Sequence, residues 1–186
     1  MPSSEPTTAV RRSPLPAGRS PISYEQRENL VTVDLGGLEV SGEPQAILVT
    51  YALGSCVGVA MSDPLARIAG LLHCQLPAAS MNPERARREP GVFADTGVNE
   101  LLRTLTQSGA DRRRLKVKLA GAAQMLGDGG LFDIGRRNHV AVRKVLWQHG
   151  LLVESEQVGG GSPRTMYVRV SDGTVLVKSG EHTHEL

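Results

Sequence analysis

Aromatic side chains are scarce: Phe, Trp and Tyr together make up 3% of the chain. Any core must therefore be aliphatic, and the 40% hydrophobic content supplies the Val, Leu, Ile and Ala for it. An excess of one charge is also missing. The chain has 21 basic and 19 acidic residues, a net charge of +2, and no stripe of Lys and Arg interleaved with aromatics. That argues against a nucleic-acid-binding domain, which carries a basic face. No apolar run approaches the roughly 20 residues that a membrane-spanning helix needs. The N-terminus lacks the apolar stretch of a secretory signal, and Arg11-Arg12 is followed by Ser-Pro-Leu-Pro-Ala-Gly, so it does not read as an export signal either. The expectation is a cytoplasmic protein. Its two cysteines, Cys56 and Cys74, then read as thiols in a reducing compartment, not as a disulfide.

With 186 residues the chain fits one domain. Residues 1–26 are rich in Pro, Ser, Thr and Arg and read as a disordered N-terminal tail. A domain is expected over 27–180 and a polar C-terminal tail over 181–186. Within the domain, "AILVTYAL" (46–53), "CVGVAMSD" (56–63) and "RIAGLLHCQLP" (67–77) read as strands, and 78–91 as a loop. Val98, Leu101, Leu102 and Leu105 share one helix face, with Asp95 or Thr96 as cap and Gly109 as stop. "RLKVKLAGAA" (114–123) alternates like a half-buried strand, and 121–135 is a glycine-rich turn region. A second helix is expected from about Arg137 to His149, then a strand over 151–158. A hairpin over 165–179 is expected to turn at Asp172-Gly173 as a two-residue type I′ turn. Three strands, helix, strand, helix, strand, hairpin is no regular βαβ alternation. It predicts an α+β domain with a mixed or antiparallel sheet and two helices on one face.

The stretch "TYALGSCVGV" (50–59) carries the chemistry. Cys56 stands just after a Gly-Ser bend between two apolar runs. A thiol nucleophile needs a base, and the base needs a group to hold its ring. His73 lies 17 residues on, in the third strand, and pairing of strands two and three brings it toward Cys56. Thr50 can accept the other imidazole N–H. The bend at Gly54 and Ser55 can present backbone N–H groups to an oxyanion. Two plainer readings stand beside this one. A lone cysteine in such a protein is commonly a small buried hydrophobe. A metal site from His73, Cys74, His182 and His184 is the third reading, but neighbours on a strand point to opposite faces and no C-x-x-C or H-x-x-x-H is present.

The run "LGSCVGVAMSDPLARIAGLLHCQLP" (53–77) resembles the signature of the CheD family, the chemoreceptor glutamine deamidases of bacterial and archaeal chemotaxis. "FADTGVNELL" (93–102), "KLAGAAQML" (118–126), "DIGRRNHVAV" (133–142) and "VGGGSPRTMYVRVSDGTVLVK" (158–178) extend the resemblance over roughly residues 30–178. It implies a layered α/β/β fold and hydrolysis of a protein glutamine amide to glutamate with release of ammonia. It makes Cys56 the nucleophile, His73 the base and Thr50 the third member, with Gly54 and Ser55 at the oxyanion. It implies no metal or organic cofactor. The partners it implies are the cytoplasmic helices of chemoreceptors and a CheC-type phosphatase; service as a non-catalytic module that binds such a phosphatase is the alternative. The sequence departs from the family at Ala122, where a second glycine is frequent, at Cys74, which replaces a larger apolar residue, and in its long N-terminal tail.

Overall fold

The computed structural model describes residues 29–124 and 133–186. The segment expected as a disordered tail and most of the glycine-rich turn lie outside those residues.

The strands form two five-stranded sheets. In the first, β1 (Leu30–Thr32), β3 (Ile47–Leu53), β8 (Arg164–Arg169), β9 (Val175–Ser179) and β10 (His182–Glu185) lie in that order. In the second the order is β2 (Leu38–Ser41), β5 (Ile68–Cys74), β4 (Val57–Asp63), β6 (Lys116–Gly121) and β7 (Val153–Val158). β1–β3 and β6–β7 are parallel pairs and the other pairs are antiparallel, so both sheets are mixed.

The second sheet is the middle layer. β4 and β5 are buried along their whole length, on both faces. That is why their sequences are near-continuous apolar runs with little alternation. One face meets the first sheet through Ala60, Ala69, Leu71 and Ala120 against Leu48, Met166, Val168 and Val177. The other face meets α2 (Ala94–Gln107) and α3 (Ile134–Gln148). Leu101, Leu102 and Leu105 of α2 are buried there, and their burial contributes on the order of 6 kcal/mol. Small residues on the sheet-facing side let aliphatic partners close the gap without aromatics. The result is the layered α/β/β arrangement that the sequence predicts.

Several expectations need correcting. The polar residues 78–91 are not all loop, since α1 (Pro83–Arg88) forms there with Asn82 accepting from the Arg85 N–H. α2 starts at Ala94, and Asp95 does not cap it; its carboxylate instead accepts from the Ala79 N–H at 2.9 Å. α3 starts three residues before the expected Arg137, because Asp133 accepts from the Arg136 N–H and caps it. The β8–β9 turn is longer than a type I′ turn. Arg169 N–H donates to Thr174 O and Gly173 N–H to Arg169 O, and Asp172 accepts from Thr174 N–H and Arg169 Nε. The C-terminal residues, read as a tail, pair with β9 as the exposed edge strand β10. β1 and β2 are further strands that the sequence did not announce.

Candidate active site

Pairing registers place the candidate residues. In the β4–β5 hairpin, Val57 stands opposite Cys74 and Gly58 opposite His73. Side chains alternate along a strand. His73 therefore shares a face with Leu71, toward the first sheet, while Cys74 points to the helices. Cys56, one residue before β4, packs on the same inter-sheet side as His73. Thr50 on β3 stands opposite Met166 and also faces the gap between the sheets.

The polar groups in that gap fix the state of the imidazole. Thr50 Oγ1 lies 2.7 Å from His73 Nδ1. The same hydroxyl donates to the Val33 carbonyl at 2.7 Å. A hydroxyl has one proton, so Thr50 must accept from Nδ1–H, and Nε2 carries the lone pair. Among the described residues, the buried Nε2 has no hydrogen-bond partner. No described group offers that lone pair a proton. Burial lowers the His73 pKa to about 4, so the ring is neutral at pH 7. The Val33–Gly37 crossing also fixes the His73 backbone, through Gly36 N–H to His73 O and His73 N–H to Gly37 O.

Cys56 is half-buried and is not hydrogen-bonded to His73. Burial raises its thiol pKa, and hydrogen bonding with its own backbone N–H offsets part of that rise. The resting pair is thus a neutral thiol and a neutral imidazole. Cys74 is fully buried, donates to Val57 O at 3.4 Å and is pushed up to about 12, chiefly by burial. It is an inert thiol.

The Cys56 turn is held by the start of the glycine-rich turn region, a contact that the sequence does not announce. Ala122 N–H donates to Cys56 O and Ala123 N–H to Gly54 O, each at 2.7 Å. Gly121 has φ 108°, and a Cβ there would lie 2.3 Å from Cys56 O, so only glycine fits. Ala122, the departure from the family pattern, has φ 52°. Glycine adopts that conformation freely, whereas alanine pays about 1 kcal/mol for it. Asn138 of α3 donates through Nδ2 to Ser55 O at 3.0 Å and to Gln75 O at 2.7 Å. Arg164 donates to Gly121 O and Gly159 O and holds the glycine loop beside this turn. A sequence signal existed for Asn138, a polar residue four and seven positions before Val142 and Val145 on the apolar face of α3.

The geometry also sorts the residues expected at the oxyanion. Gly54 N–H is engaged by Ala52 O at 2.8 Å and cannot donate to a ligand. Its part is the carbonyl that anchors the turn. Among the described residues, the N–H groups of Ser55 and Cys56 have no backbone or side-chain oxygen as acceptor. The histidines of the metal reading do not meet: His182 and His184 lie on β10 and His73 on β5. Among the described residues, no three His, Cys, Asp or Glu side chains gather as a metal site.

The fold is a three-layer α/β/β domain with a thiol, an imidazole and a hydroxyl facing the gap between its two sheets. The chain belongs to the CheD family. The family's model, described as CheD chemotactic sensory transduction, matches residues 75–179. A protein of Anaeromyxobacter dehalogenans named "Probable chemoreceptor glutamine deamidase CheD 2" is 44% identical over 158 residues, covering 85% of this chain and 99% of that protein. A protein of Solibacter usitatus with the name "Probable chemoreceptor glutamine deamidase CheD" is 40% identical, covering 84% and 92%. One of Methanococcus maripaludis, with that same name, is 36% identical, covering 81% and 96%.

Proposed function

We propose that this chain is a chemoreceptor glutamine deamidase working by cysteine nucleophilic catalysis. The observation that carries the reading is the unpartnered, lone-pair-bearing Nε2 of His73, set by Thr50 on the face that Cys56 shares. Family membership over most of the chain supplies the substrate class.

The chemistry follows from those atoms. As a glutamine side chain enters, the Cys56 thiol proton passes to His73 Nε2 and Sγ forms a bond to the amide carbon. The resulting oxyanion faces the free N–H groups of Ser55 and Cys56. His73 returns the proton to the amide nitrogen, the C–N bond breaks and ammonia leaves. Water then attacks the thioester, giving its proton to Nε2. The C–S bond breaks, and the proton returns to Cys56 as the glutamate is released. Each step moves one proton through one nitrogen, which explains why a ring with Nδ1 tied down suffices. A low pKa on His73 favours the neutral form that accepts the first proton. The receptor glutamines that fit this reading lie on cytoplasmic helices, so the place of action is the cytoplasm.

The test is mass spectrometry of a receptor cytoplasmic fragment after incubation with the protein or with Cys56→Ala. A gain of about one mass unit per site, seen with the wild type alone, supports the reading. A gain with both proteins would remove Cys56 from the mechanism, and none with either would refute the activity.

A further inference from the structure

The three carbonyls around the nucleophile are all held from one side. Gly54 O accepts from Ala123 N–H, Ser55 O from Asn138 Nδ2 and Cys56 O from Ala122 N–H. No peptide here is cis, and in a trans peptide the C=O and the following N–H point in opposite directions. Fixing these carbonyls toward the 121–124 loop and α3 therefore turns the Ser55 and Cys56 N–H groups the other way. The Cys56 N–H thus points away from the side of the turn that Asn138 holds, and it belongs to the residue whose sulfur would bond the carbon of a tetrahedral adduct.

Of the three holds, two are backbone and one is a side chain. Asn138 is fully buried, and its second Nδ2 hydrogen bond, to Gln75 O, ties it to the end of β5, two residues beyond His73. Both amide protons are thus committed, one to the nucleophile's turn and one to the strand that carries the base. Among the described residues, its buried Oδ1 has no partner. An unsatisfied buried oxygen costs about 1–3 kcal/mol, more than a helix face would tolerate for packing alone, where a leucine would fill the same space without cost.

We propose that Asn138 is the positioning residue of the oxyanion site. By holding the Ser55 carbonyl against α3, it keeps the Cys56 N–H turned toward the place where the oxyanion develops, and it does so from the anchor on Gln75. The inference deepens the deamidase reading and rests on it for the identity of the natural substrate. Its geometry concerns any acyl group on Cys56.

Two reagents separate this role from a merely structural one. Iodoacetamide alkylates the thiol by displacing iodide from a tetrahedral carbon, and no oxyanion forms. p-Nitrophenyl acetate acylates it: the S–C bond forms, an oxyanion develops, the C–O bond to the aryl group breaks and p-nitrophenol leaves with the thiol proton. Both rates are measured on wild type and Asn138→Leu, with Cys56→Ala as the blank and circular dichroism as the check on folding. Removing one oxyanion donor typically costs about 10²-fold or more. The expected result is acylation slowed by about 10²-fold with alkylation within about threefold. If both rates fall together, or neither falls, Asn138 does not position the oxyanion donors. Should Asn138→Leu fail to fold, Asn138→Ala, which leaves a small void, is read in the same way. Receptor deamidation by the wild type is scored alongside. Its absence would refute the substrate and leave the acylation-to-alkylation ratio to decide on Asn138.

Discussion

The two ends of the β4–β5 hairpin carry buried polar groups in opposite conditions. At the turn end, both Asp63 oxygens are saturated. They accept from the Leu65, Ala66 and Asp111 N–H groups and from Arg114 Nε and Nη2, the last at 2.6 Å. The Arg114 guanidinium, first among the causes, holds the carboxyl down at about 2. At the open end, His73 Nε2, Asn138 Oδ1 and Arg164 Nε are buried and have no hydrogen-bond partner among the described residues. One hairpin thus has a satisfied end that fastens the fold and an unsatisfied end able to react. Satisfied buried groups report on stability, and orphaned ones point to a task.

The largest effect should come from the open end. Cys56→Ala and His73→Gln are each expected to reduce deamidation by about 10⁴-fold, with little change in thermal stability. Mass spectrometry of the receptor fragment measures the first and a melting curve the second. Thr50→Val removes the hydroxyl that sets the His73 tautomer, and with it the bond to the Val33 carbonyl, so turnover should fall about 10²-fold while KM holds. An unchanged kcat would mean that the 2.7 Å contact does no catalytic work.

The turn end should answer in the reverse sense. Asp63→Ala leaves Arg114 Nε and Nη2 and three backbone N–H groups without this acceptor and is expected to cost about 3 kcal/mol. That corresponds to roughly 6–12 °C in Tm. The kcat of the folded fraction should not move. A fall in kcat at constant stability would erase the distinction between the ends.

Acid separates the two ends more finely. Unfolded, His73 takes a proton near pH 6.5, whereas folded it stays neutral down to about 4. Stability is therefore lost as pH falls through that window and levels off below it. Unfolded, Asp63 protonates near 3.8, but folded it keeps its charge to about 2, so its contribution is present above about 4 and lost below. Urea midpoints against pH should show both segments. His73→Gln should flatten the upper one and Asp63→Asn the lower. A single shared window would contradict the separate environments.

Much of this was legible in the sequence where local pattern and physical cause coincide. The apolar runs at 46–53, 56–63 and 67–77 mark real strands because those strands are buried on at least one face. Val98, Leu101, Leu102 and Leu105 mark α2 because the helix packs one stripe on a sheet. The meeting of Thr50 with His73 was readable from the need of an imidazole for an acceptor. What escaped depends on the third dimension. β1 and β2 are short, three and four residues, and gain their identity from their partners. The Asp172-Gly173 turn lengthened because Asp172 bonds Arg169 and Thr174 instead of closing a two-residue loop. Asn138 reaches Ser55 across 83 positions of chain, a distance that no spacing rule covers.

The Thr50–His73 hydrogen bond joins β3 of one sheet to β5 of the other. The imidazole is therefore aligned only after the two sheets have closed face to face, a late event for contacts so far apart in sequence. A nascent chain with either sheet alone holds a thiol but no set base. On the proposed mechanism the topology is a safety catch: a glutamine-cutting activity that is switched on by the completion of folding itself and is lost when the sheets part.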